Sequence, residues 1–202
     1  MSAIEILGEE RWVDGRSVRI RPIDRSDLEL ERRFVMGLSR RTAYLRLLSG
    51  RGLQPGELER WTDIEPSREI ALIAVTGEGD AEEQVGVARC VRDDRAPPNW
   101  DFGIVVADAW QGAGLGEALL GHLIEQAKAA GVEALSSITL PENRRMLALA
   151  RRLGFTVRRE PGDATLMRVE RRLGAAVEAP APFRPGAPAT WRAQAASGRG
   201  IA

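Results

Sequence analysis

The 202-residue sequence is poor in the side chains on which much enzyme chemistry depends. It has one cysteine, Cys90, so no disulfide forms within the chain and a cysteine-rich metal site is excluded. It has one histidine, His122, which excludes sites built on several imidazoles, and no metal is expected. Tyr44 is the only tyrosine, and Lys128 is the only lysine, so arginine carries nearly all the positive charge. Charge of one sign is also lacking: 29 basic residues balance 29 acidic ones. That balance offers no electrostatic case for nucleic acid or an anionic membrane as partner. No apolar run approaches the roughly 18 residues of a membrane span. The first residues, Met1 to Arg11, are mixed and acidic rather than a signal peptide, and the expected location is cytoplasmic.

What is present is an ordinary globular composition, 44% hydrophobic and 29% charged. The length predicts one domain with a tail, as monomer or homodimer. Residues 1–15 read as a lead-in, with a hairpin over Trp12 to Val18 closed by Asp14-Gly15. Asp24 to Leu38 reads as a helix with Asp24 or Ser26 as cap, followed by helices at Ser39 to Leu48 and Pro55 to Thr62. Strands are predicted at Glu69 to Thr76, Gln84 to Arg92 and, after Pro97-Pro98, Asn99 to Val106. A helix over Gly114 to Ala130, a strand over Glu133 to Thr139 and a helix over Glu142 to Leu153 follow. Strands at Phe155 to Arg158 and Thr165 to Val169 complete the set. The order predicts a mixed α/β layer fold over residues 16–173. Residues 174–202 are rich in Ala, Pro and Gly, with isolated Phe183 and Trp191, and read as a disordered tail.

The most informative segment is Gln111-Gly112-Ala113-Gly114-Leu115-Gly116. It lies between the strand end Ile104-Val105-Val106 and an amphipathic helix. Glycines there let backbone N–H groups approach a ligand, and the helix start adds a positive dipole end. That suits a diphosphate. A Walker A loop needs Lys and Ser/Thr after its last glycine, where this chain has Glu117-Ala118. A dinucleotide fingerprint started at Gly112 needs glycine where Glu117 stands. Both nucleotide readings fit poorly.

Gln-x-x-Gly-x-Gly, with the lead-in Ile104 to Gln111, the later helix Glu142 to Phe155, and Arg19-Ile20-Arg21-Pro22 with Asp24 and Asp27, resembles the GNAT superfamily of N-acetyltransferases. Ser39 to Arg46, Gly86 to Arg89 and Asp101 to Val106 resemble the GNAT domain of bacterial protein lysine acetyltransferases. The resemblance spans Val18 to Arg172. It implies the GNAT fold, a mostly antiparallel twisted sheet with splayed central strands flanked by helices. It implies acetyl-CoA as co-substrate and an amine acceptor, a protein lysine or a small molecule. Gln111, Gly112, Ala113, Gly114, Leu115 and Gly116 would hold the pyrophosphate through backbone amides. Ile104, Val105 and Val106 would pair with the pantetheine arm, and an N–H near Val106 would polarise the thioester carbonyl. Asn143 would contact the cofactor from the next helix start. Glu117, unfavourable beside a phosphate, must face solvent or pair with an arginine.

The relatives place a glutamate base on the central strand, where this chain has Asp101, one methylene shorter. The resemblance thus implies Asp101 as base, acting through a bridging water, with Trp100 and Phe102 desolvating it. A solvated carboxylate without a role is the competing reading. The tyrosine that many relatives use as acid is matched by Ala150, and Tyr44 reads as a packing residue. Cys90 reads as a buried, inert thiol, His122 as packed or facing solvent, and Arg144-Arg145 and Arg151-Arg152 as solvated helix faces, either pair being a candidate for contact with the CoA 3′-phosphate. Without the tyrosine, a non-catalytic acyl-CoA sensor stands as the alternative to an enzyme.

Overall fold

The computed structural model describes residues 11–13, 15–47, 54–94 and 99–174. Met1 to Glu10, the hairpin corner Asp14, Pro97-Pro98 and the tail with Phe183 and Trp191 lie outside the described residues. Thirteen regular elements alternate along the chain as β1 (Arg11–Val13), β2 (Arg16–Pro22), α1 (Leu28–Gly37), α2 (Arg40–Leu47), α3 (Glu57–Thr62), β3 (Glu69–Thr76), β4 (Glu83–Arg92), β5 (Asn99–Val106), α4 (Leu115–Ala129), β6 (Ala134–Thr139), α5 (Arg144–Arg152), β7 (Thr156–Glu160) and β8 (Asp163–Arg172).

The strands form one sheet of order β1-β2-β3-β4-β5-β6-β8-β7. Every neighbouring pair is antiparallel except β5 with β6. This is the mixed fold expected, with the parallel pair at its centre. β3 is apolar on both faces because both are covered: Leu72 and Ala74 join one core, Ala71, Ile73 and Val75 the other. The larger core lies under α4, whose Leu115, Leu119, Leu120, Leu123 and Ile124 are fully buried. Each such side chain is worth about 1.5–3 kcal/mol of burial. α4 comes so close to β4 that a Cβ at Gly86 would stand 3.2 Å from Leu119 Cδ2 and 3.3 Å from the Val105 carbonyl oxygen. The smaller core lies under α1 and includes Ile23 and Phe34.

Asp24 caps the 3-10 turn Arg25–Asp27 that leads into α1, accepting from Ser26 N at 2.7 Å, while Asp27 Oδ2 accepts from Asp24 N at 2.9 Å. Arg21 grips Asp27 with two bonds of 2.7 Å, tying β2 to this corner. The α-helix itself begins only at Leu28, after a 3-10 turn. β8 is twice the length expected, ten residues instead of five. Its charged outer half hid it: Arg168 is bidentate to Glu160 at 2.6 Å, and Glu170 accepts from Arg158 at 3.1 Å, while Val169 between them is buried. No described helix is long and apolar enough to cross a membrane.

Candidate active site

β5 and β6 pair only over Asn99↔Ala134, Trp100↔Leu135 and Asp101↔Ser136. Beyond Asp101 the strands part. The wedge between them belongs to a cleft of about 1170 Å³ lined by both strands, the 111–116 loop, α2 and α5. Ala107 N donates to Val85 O at 2.9 Å, in register with Gly86↔Val106. Antiparallel ladders alternate, so Val105 and Gly103 turn their amides toward β4, whereas Ile104 and Val106 turn theirs into the wedge. This corrects the expectation for three pairing residues: the backbone of Val105 is committed to β4.

The wedge ends at the loop. Gly112 and Gly114 have φ of +88° and +87°, where a Cβ is strained, and a Cβ on either would meet nothing within 4 Å. The start of α4 at Gly114 carries no side-chain cap, so its first N–H groups point outward unsatisfied by a side chain. Leu115 is fully buried and contributes only backbone to the loop, and Ala113 packs on the main core. The Gln111 side chain braces the loop: Nε2 donates to Val106 O at 3.0 Å and Thr42 Oγ1 at 3.3 Å, and Oε1 accepts from Arg145 at 2.5 Å. Glu117 satisfies its expectation in full, being exposed and paired with Arg152 at 3.1 Å. Arg144, Arg145 and Arg152 border the cleft at this end.

Asn143 caps α5, with Oδ1 accepting from Met146 N at 3.3 Å and Nδ2 donating to Thr139 Oγ1 at 3.1 Å. It therefore locks the far wall of the wedge to β6, and it keeps one lone pair and one proton to spare. Ala150 is fully buried on α5, so no acid projects from that position. Tyr44 is not a packing residue: it is 44% exposed on α2. His122 is buried, the packed one of its two readings, and Cys90 is buried as expected, where burial pushes its thiol far up and leaves it inert.

Asp101 lies at the apex where the strands part. Its side chain opens onto the cleft, yet the protein crowded around it pushes its carboxyl from 3.8 up to about 6. Burial is the main cause; Asp93 adds to it and Arg168 opposes it. Trp100 and Phe102 are not the desolvating groups, since alternate strand residues face opposite ways. Phe102 instead stacks on Phe155 in the main core, centroids 5.0 Å apart. The neighbours of Asp101 on its own face are Val91 and Glu69, in one cross-strand row, and Asp93 beside Asn99. Next to that row, half-buried Arg89 bonds Glu69 Oε1 and Trp61 O, both at 2.9 Å.

Residues that composition did not single out complete the frame. Asp108 accepts from Ser39 N at 3.0 Å, Ser39 Oγ at 2.9 Å and Thr42 Oγ1 at 2.8 Å, which anchors α2 beside the loop. Ser39-x-x-Thr42 is a legible helix-start pattern, but its acceptor lies 66 or more residues away. Gly103, opposite Arg89, leaves the strand face beside Asp101 open: a Cβ there would meet nothing within 4 Å.

Residues 42–155 match the Acetyltransferase (GNAT) family. An acetyltransferase of Pseudomonas aeruginosa is 33% identical over 172 residues, covering 81% of this chain and 90% of that protein. The GNAT domain of S. lividans PAT superposes with a TM-score of 0.71 at 25% identity, covering 81% of this chain and 96% of that one. A phosphinothricin acetyltransferase from Sinorhizobium meliloti, solved with acetyl-CoA, shares the fold with a TM-score of 0.60 at 18% identity, covering 86% of this chain and 97% of that one.

Proposed function

The chain belongs to the GNAT acetyltransferase family, whose acetyl donor is acetyl-CoA, and from that premise we propose that residues 16–173 transfer the acetyl group directly to an amine, a protein lysine, with Asp101 as base. The observation that carries this reading is the position of Asp101 at the apex of the wedge, with a carboxyl that titrates at about 6. Such a base is ionised at neutral pH yet proton-seeking enough to relieve an ammonium, whose ordinary value is about 10.4, through a water.

The residues present fit the donor. The uncapped start of α4 and the open space at Gly112 and Gly114 leave the N–H groups of residues 112–116 for a diphosphate. Ile104 and Val106 offer wedge-facing backbone groups for the amide-bearing arm, but Val106 O already accepts from Gln111. The Val106 N–H is the donor that supports negative charge on the carbonyl oxygen. Asn143 ties the start of α5 to β6 on the far wall of the wedge and keeps a donor and an acceptor for the cofactor. Bound acetyl-CoA supplies an activated acyl carbon and a thiolate leaving group. With Ala150 at the usual acid position, the thiolate leaves unassisted or takes its proton from water. Openness favours a macromolecular acceptor: on the Asp101 face the described helices α1 and α2 pack on β4 and β5, and β6 stays open at Ile138.

CoA release measured with acetyl-CoA and a panel of protein and small amines tests the reading. Turnover on lysine-bearing proteins supports it. Saturable acetyl-CoA binding with no turnover on any amine overturns it in favour of a sensor. Turnover confined to small amines overturns the protein-lysine acceptor alone.

A further inference from the structure

Among the described residues only four large hydrophobic side chains are exposed, and two of them, Val91 and Ile138, line the cleft beside Asp101. Val91 is 37% exposed on β4 and is the direct cross-strand partner of Asp101. Ile138 is 39% exposed on β6, two residues beyond Ser136, the last partner of Asp101. The alternation of β-strands puts all three side chains on one face of the sheet. Arg168, the partner of Ile138 on β8, is close enough to act on the Asp101 carboxyl, which confirms that this face is shared. Gly103 keeps the floor between them clear. Apolar side chains held in water on both flanks of a base have a cost that a bound apolar stem removes.

We propose that Val91 and Ile138 select the acceptor by bracketing the methylene stem of an unbranched primary alkylamine. The proposal rests on the amine-transferase reading and narrows it. An amine at the end of a methylene chain brings only CH2 groups between the two side chains. An α-amine brings a branched carbon and a carboxylate or carbonyl within two bonds of the nitrogen. A carboxylate there would lie against Asp101 and Asp93, and Glu69 stands in the same row. The cations on that face are already engaged: Arg168, which acts on the Asp101 carboxyl, is bidentate to Glu160, and Arg89 bonds Glu69 and the Trp61 carbonyl.

The test is kcat/KM for the n-alkylamines from methylamine to pentylamine, which share nearly the same basicity, at saturating acetyl-CoA. Each methylene taken out of water should raise kcat/KM by about fourfold over the length the pair spans. Alanine and alanine methyl ester serve as α-amine probes and separate charge repulsion from branching. Val91→Thr and Ile138→Thr keep a β-branched shape on the strand and should flatten the rise with chain length. Thermal melts and acetyl-CoA calorimetry report whether the variants stay folded. A flat series in the parent, or α-amines used as well as butylamine, overturns this inference alone. A rise that both variants retain overturns the assignment to Val91 and Ile138. Acetyl-CoA binding without turnover of any amine overturns the transferase reading, and this inference with it.

Discussion

Replacing Asp101 by Asn tests both halves of the argument for the base. Asn has nearly the same shape and no charge at any pH. In the folded chain the Asp101 carboxyl is pushed from 3.8 up to about 6, chiefly by burial. The folded state therefore holds a proton that the unfolded chain has already lost. Below pH 3.8 both states are protonated and burial carries no ionisation penalty. Between there and about pH 6 stability falls as the pH rises, and above that the penalty is complete. Taken at face value the shift corresponds to about 3 kcal/mol. The side chain faces an open cleft, so solvent screening reduces this to about 1 kcal/mol. Asp101→Asn should thus melt about 2–4 °C above the parent at pH 8 and at the same temperature as the parent at pH 3. The same substitution should lower kcat about 10²–10⁴-fold and abolish the fall in rate near pH 6, with acetyl-CoA affinity unchanged. Circular-dichroism melts at pH 3, 6 and 8, paired with CoA-release rates, measure both. A stability gain that is absent at pH 8, or equal at pH 3, refutes the burial account. Full activity in the variant refutes the base.

Gly114→Val places a β-branched residue at φ +87° and a side chain where the diphosphate approaches; calorimetry should show acetyl-CoA affinity reduced more than tenfold and a melt shifted down by about 2 kcal/mol or more. Gly116→Ala is the control, since its Cβ would meet Leu149, Val106 and Ile104 at an ordinary 3.6–3.9 Å, and its stability should be unchanged or slightly raised. Glu117→Gln removes a carboxylate beside the diphosphate and frees Arg152; the KM for acetyl-CoA should fall a few-fold at low salt, and the gain should fade as salt is added. Asp108→Ala removes the acceptor for Ser39 and Thr42 and should cost about 1–2 kcal/mol in urea denaturation. Although partial burial works against it, the bonds from Ser39 and Thr42 hold the Asp108 carboxyl below its ordinary range. Its contribution is therefore present at neutral pH, and the cost of the substitution should vanish as the pH drops below 3.8.

Much of the frame was legible because its signals are local. β3 and β5 have the expected bounds, Glu69–Thr76 and Asn99–Val106, since the first is a continuous apolar run and the second alternates Asn99, Asp101 and Gly103 with Trp100, Phe102 and Ile104. α4 starts one residue inside the expected range because Gly114 is its cap and not its first turn. The misreadings share one cause, which is that neighbours in sequence are not neighbours on a sheet face. Trp100 and Phe102 flank Asp101 along the chain and face away from it, whereas Asp93 and Val91 reach its face through register. Tyr44 looked like core because aromatic residues usually are, yet α2 turns it to solvent. β8 looked short because its charges answer partners on β7.

The sequence alone marked residues 111–116 as a candidate anion-binding loop, because glycine spacing and a helix start are properties of a few consecutive residues. It also determined the absence of a tyrosine acid and the presence of a carboxylate at position 101. Only the tertiary structure decided what that carboxylate is worth. Its raised titration comes from the burial that the fold imposes and from Asp93, which register brings to its face, against the opposing Arg168, and its access to the wedge comes from the point where β5 and β6 part. Register across strands sets both, and register is fixed by the packing of two cores on opposite faces of one sheet.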